Sequence, residues 1–214
     1  MFNNNRVLKI FNSLIAMYIG FFLAGCVSTI QMTPGEANSI KTIEVSQKII
    51  PAKRMYYLDQ KQIWARACIG VLACAIPCYD EQQIKEAALK EKIQITEIVR
   101  NEFINQLKQT ARFKIANKDY SDAILSLEIR IYGLTIPTGF TNKLKPVLMV
   151  VGRLINHDGK VLWQDSESIR SFKNLPDFEA SELLQDPHNL FVAWNAAAKV
   201  VSKKLVKSLT SLRR

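Results

Sequence analysis

The chain has 214 residues, of which 48% are hydrophobic and 22% charged, with only eight glycines and seven prolines. This composition excludes a disordered polar chain and a low-complexity or solenoid repeat, and the length suits one ordinary domain with extensions. The formal net charge is +10. Arg6 and Lys9 account for two of these charges in a leader without acids, so +8 remains on residues 26–214. Such a balance suits a polyanionic partner such as lipid headgroups.

The N-terminus carries the sharpest pattern. Arg6 and Lys9 form a short positive region, and an apolar run from Leu14 to Ala24 (LIAMYIGFFLA) follows it. The run is short for a bilayer span and fits the hydrophobic region of an export signal. It ends in Leu23-Ala24-Gly25-Cys26, which looks like the lipobox of bacterial lipoproteins. Residues 1–25 are therefore expected to be a signal peptide. Cys26 is expected to be the cleavage and lipidation site, holding the chain on a membrane by its acyl chains. Val27 stands where an inner-membrane retention signal would place Asp, so the expected address is the outer membrane, facing the periplasm.

Residues 26–38 contain Thr33-Pro34-Gly35-Glu36 and read as a tether, with the folded domain covering 39–214. Ile40–Ile50 is rich in β-branched residues and predicts a first strand, interrupted by Pro51. Met55–Leu58 adds a second short strand or an extension. Residues 63–79 (IWARACIGVLACAIPCY) form an apolar insert with one charge and with Cys68, Cys74 and Cys78. A buried insertion pinned by one disulfide is the plainer reading, and a membrane-dipping or partner-docking hairpin is the other. The sequence does not select among the three pairings. The insert lacks His and a Cys-x-x-Cys, so neither a metal site nor redox chemistry is expected there.

From Glu81 to Arg112 apolar residues recur at helical spacing (Ile84, Ala88, Ile95, Val99, Phe103, Leu107), predicting one amphipathic helix. Phe113–Ala116 alternates briefly. Leu125, Leu127, Ile129 and Ile131 then alternate with Ser126, Glu128, Arg130 and Tyr132, predicting a strand with one face in the core. Leu134–Asn142 reads as a loop. Leu144–Ile155 and Lys160–Phe172 read as a hairpin around Asn156-His157-Asp158-Gly159, whose Asp-Gly pair suits positive φ. After an acidic connection over 173–187 comes a long helix with the stripe Leu190, Trp194, Ala197 or Ala198, Val201, Leu205, Leu209 and Leu212. Lys199, Lys203, Lys204 and Lys207 lie off that stripe. They are either a solvated face or a surface for an anionic partner.

Strands and helices in this order predict an α+β domain, a mostly antiparallel sheet with a central amphipathic helix and a C-terminal helix packed on one face. The leader, the helix IVRNEFINQL (Ile98–Leu107), the strand SDAILSL (Ser121–Leu127) and the hairpin GKVLWQ (Gly159–Gln164) together resemble small envelope lipoproteins. The types resembled are the TolB N-terminal domain, the curli-secretion lipoprotein and the lipopolysaccharide-assembly lipoprotein. That resemblance implies an accessory in envelope assembly, secretion or transport, partnered by envelope proteins and not a catalyst.

The residues agree on the last point. No nucleophile elbow or phosphate-binding loop is present. His157 sits at a turn and His188 at a helix entrance. Asp165 and Glu167, two apart on one strand, have no further catalytic company. No cofactor, metal or nucleic acid is expected. The remaining alternative is a module that binds a lipid, lipopolysaccharide or another polyanion directly.

Overall fold

A computed structural model describes residues 28–58, 79–137 and 141–211. In chain order the elements are α1 (Pro34–Ser39), β1 (Thr42–Val45), β2 (Tyr56–Leu58), α2 (Tyr79–Lys90), α3 (Ile95–Lys108) and β3 (Lys114–Ile115). A 3₁₀ turn at Lys118–Tyr120 leads into β4 (Ala123–Thr135), β5 (Lys145–Asn156), β6 (Val161–Ser168), α4 (Ala180–Gln185) and α5 (His188–Thr210). The sheet runs β3-β1-β4-β5-β6, with β2 also paired to β4. The long ladders β4–β5 and β5–β6 are antiparallel. The short strands β1, β2 and β3 join in parallel. This is the expected α+β domain, with α3 and α5 packed together and α5 lying on β5 and β6.

The core follows the predicted stripes. Ile98, Val99, Phe103 and Leu107 of α3 are buried, as are Leu190, Trp194, Ala197, Ala198, Val201, Leu205 and Leu209 of α5. Each large side chain so removed from water contributes about 1.5–3 kcal/mol toward folding. Trp163 of β6 is wholly buried, and its ring lies over Gly152 of β5, where a Cβ would come within 2.8 Å of the ring.

Four expectations are corrected. The predicted helix over 81–112 is two helices. The chain breaks at Lys92, whose φ is 54°. Lys92 N–H returns to Leu89 O at 3.1 Å and Ile93 N–H to Ala88 O at 2.8 Å, closing α2 with a Schellman turn. Such turns usually announce themselves by glycine, and here a lysine holds the left-handed position.

The strand from Leu125 does not keep its alternation. Register shifts between Ile129 and Ile131, a bulge at Arg130. Ala123, Leu125, Leu127 and Ile129 are buried, but Ile131 is 42% exposed and Tyr132 turns inward instead. The strand also continues through Leu134 and Thr135, where a loop was expected.

The stretch read as a tether is folded from Ile30 onward. Ile30 pairs with Gln164 of β6, Met32 and Ala37 are buried, and Thr33 and Glu36 form a capping box at the start of α1. The Glu36 carboxylate also meets Lys160 Nζ at 2.7 Å, binding α1 to the β5–β6 hairpin. That hydrogen bond, followed by those from Thr33, holds the Glu36 carboxyl down at about 2. At the hairpin, Gly159 has φ 82° and Asn156 Oδ1 accepts from Lys160 N–H at 2.8 Å.

Two predictions follow from β4 and its approach. Gly133 has φ 147°, and a Cβ there would sit 1.7 Å from the carbonyl oxygen of Tyr56 in β2. Gly133→Ala should cost about 3 kcal/mol or more, lowering the thermal midpoint and loosening β2 in hydrogen exchange. Asp122 accepts from Lys41 N–H, Thr42 N–H and the Thr42 hydroxyl at 2.8–2.9 Å. These bonds, the Lys41 N–H first, lower its pKa from 3.8. A lowered folded-state pKa gives stability that is complete above the unfolded value and lost as pH falls. Asp122→Ala should therefore cost about 1 kcal/mol at neutral pH, and the gap from wild type should close below about pH 3.8 in denaturant titrations.

Candidate functional site

Two places on the described surface combine shape with chemistry. The first is a cleft of about 490 Å³ above β4, between the α2–α3 junction and the N-terminal half of α5. The bulge at Arg130 makes it, because it swings Tyr132 onto the helix side. Tyr132 meets Trp194 edge to face, with ring centroids 5.7 Å apart and planes at 72°. Met55, Ala88, Ile93 and Ile95 complete an apolar lining, and Lys85 and Lys92 stand at the rim. Lys85 is held by Glu81 at 2.5 Å.

The polar groups of this cleft are few. Burial pushes the Tyr132 phenol up from its ordinary value, so it stays protonated at neutral pH. Trp194 Nε1 is buried and has no hydrogen-bond partner among the described residues. Lys92, Ile93 and Gln94 also border an adjoining hollow of about 560 Å³ that reaches His188 and Phe191. The His188 ring stacks on Phe191 at 5.6 Å, and the His188 N–H donates to Asp186 Oδ1 at 3.1 Å. The arrangement can hold an apolar body; it does not aim an acid and a base at a common point.

The second place is the flank where α5 meets the edge strand β6. Lys199, Lys203 and Lys207 are exposed, one helical turn apart. Lys204 is different from the other three. Its Nζ donates to Ser168 O at 3.4 Å and lies 3.9 Å from Glu167 Oε2, which Arg170 approaches at 3.7 Å. Asp165 Oδ2 accepts from the Ser208 hydroxyl, and Trp163 Nε1 reaches the same hydroxyl at 3.4 Å. The pair Asp165 and Glu167 thus serves to dock α5 on the sheet. His157, read as a turn residue, donates from Nε2 to Ser121 O at 2.6 Å.

Cys26, the cysteines 68, 74 and 78, and the insert through residue 78 lie outside the described residues, as does Leu212. Among the described residues no group of His, Cys, Asp and Glu is placed to hold a metal ion. None of their helices is long and apolar enough to cross a membrane. Sequence patterning named Trp194 as core but put Tyr132 on the wet face. The bulge that reverses it leaves only Gly133 as a mark in the sequence. The role of Ser208, which joins α5 to β6, has no sequence signal, since a serine near a helix end is ordinary.

No family model matches the chain, and no curated protein does. Among solved structures, several show a partial likeness. A PelC dodecamer subunit from Paraburkholderia phytofirmans is 13% identical with a TM-score of 0.46, covering 88% of this chain and 99% of its own. A lipoprotein, GNA1162, from Neisseria meningitidis is 18% identical with a TM-score of 0.27, covering 71% and 95%. A DUF330 protein from Xanthomonas campestris is 14% identical with a TM-score of 0.37. The match covers 52% of this chain and spans only 58% of the Xanthomonas one. At these identities and TM-scores no residue role is carried over from them.

Proposed function

We propose that this chain is an envelope lipoprotein, anchored through acylated Cys26 at the outer membrane and facing the periplasm. There it serves as a non-catalytic accessory or structural subunit of an assembly, secretion or transport system. The observation that carries the reading is the order of the N-terminal features. A positive region, an apolar run, Leu23-Ala24-Gly25 and Cys26 precede, by only four residues, the first residue paired to the sheet. The acids and one of the two imidazoles weighed for catalysis support it too. Asp165, Glu167 and His157 are each engaged in contacts that hold elements together.

The cleft at Tyr132 and Trp194 favours a second reading. An apolar hollow of this size with a lysine rim suits one acyl chain with an anionic headgroup, so the domain would carry a lipid directly.

Cys26→Ala should leave a longer, unprocessed chain that takes up no fatty-acid probe in cells, and normal labelling would refute the anchor. Affinity purification after in-cell crosslinking separates the two functional readings. The accessory reading expects a protein partner recovered in fixed proportion with the lipidated chain. The lipid-carrier reading expects instead a bound lipid, seen by native mass spectrometry of residues 27–214, whose occupancy falls several-fold in Tyr132→Ala.

A further inference from the structure

Backbone pairing fixes where Ser28 and Ile30 lie, the described residues nearest Cys26 in sequence. Ile30 N–H donates to Gln164 O at 2.8 Å, and Gln164 N–H returns to Ile30 O at 2.9 Å. Gln164 Nε2 donates to Ser28 O at 2.7 Å, and Gln31 Nε2 reaches Ser208 Oγ of α5 at 3.4 Å. The pairing is antiparallel, so Thr29 and Ser28 run along the outer side of β6 in the direction of Ser168.

Cys26 is two residues before Ser28. Even fully extended, two residues reach only about 7 Å. A free tether of a dozen residues would average roughly 20 Å. The Debye length in physiological salt is about 8 Å, so the first distance lies within the reach of surface charge and the second does not.

The flank in that direction is cationic. Lys204 touches Ser168 there. Around the α5 axis, Lys207 lies about 60° and Lys203 about 100° from Lys204. Both are exposed. With Arg170 these make four cations, set against two carboxylates that face the same edge, Asp165 and Glu167. Ser208 occupies one of the two carboxylates.

We infer that the anchored protein lies side-on to its membrane, with the β6 edge and the Lys203–Lys207 flank of α5 against the anionic headgroups of the bilayer that holds its acyl chains. The inference rests on the lipoprotein reading and adds an orientation to it. Beside acyl chains that already hold the protein, a basic patch adds electrostatic attraction that draws one face toward the anionic surface.

The test uses the full lipidated chain in phosphatidylcholine–phosphatidylglycerol vesicles. Photoreactive p-benzoylphenylalanine is placed at position 207, or at position 114 on the opposite sheet edge. Lipid adducts at 207 should exceed those at 114 several-fold and should fall as salt is raised. Ile30→Pro removes the N–H that donates to Gln164, and should bring position 207 down to the level of 114. A Gly-Ser spacer inserted after Val27, which leaves every residue of the domain intact, should do the same. Equal adducts at the two positions, or no loss with the spacer, would overturn the orientation while fatty-acid labelling still upheld the anchor. Absence of labelling would remove the anchor and this inference with it.

Discussion

Between Ile129 and Ile131 the ladder joining β4 to β5 slips by one residue, and much of the molecule is arranged around that slip. Before it, odd-numbered side chains of β4 enter the core; after it, Tyr132 and Leu134 do. A strand has a side-chain period of two, so one extra residue exchanges its faces. The first half of β4 takes β1 in parallel, and the second half takes β2. β2 approaches so closely that position 133 has no room for a Cβ. The aromatic floor of the cleft is a by-product of the same exchange.

Periodicity made most of this legible. The α5 stripe, the first half of β4 and the β5–β6 turn were readable because each repeats a local rule several times over: apolar residues every three or four, alternation by two, Asp-Gly at a tight turn. The features that escaped were single events. Lys92 closes α2 in a conformation that glycine normally marks, and the helical spacing on either side of it stays in phase, so one helix was expected where two exist. Arg130 reverses a strand without altering its composition. The parallel pairing of β1, β2 and β3 depends on partners distant in sequence, which no local pattern encodes. The cleft was missed for the same reason: it needs Tyr132 from the reversed half of β4 beside Trp194 of α5, a helix some sixty residues later in the chain.

The surface chemistry divides along the same line. Sequence placed Lys199, Lys203, Lys204 and Lys207 off the apolar stripe, and three of them are exposed. It did not show that Lys204 would be drawn to Glu167, or that Asp165 would be tied to Ser208. Half-buried polar contacts of this sort contribute modestly to stability, but they fix the rotation of α5 about its own axis. The direction in which the remaining lysines point is thereby set by two carboxylates of β6.

The segment at Ile30 has a further consequence for the solubility of the domain. β6 is the last strand of the sheet, eight residues long, and an uncovered edge of that length is a template on which another chain can add its own strand. Ile30 occupies the middle of that edge. The opposite border, β3, has only two residues and offers little to pair with. Among the described strands the aggregation hazard is therefore greatest at β6, and the few residues ahead of α1 guard against it. A version of the domain trimmed to begin at Thr33 would lose this guard together with the buried Met32 side chain, inviting edge-to-edge association through β6.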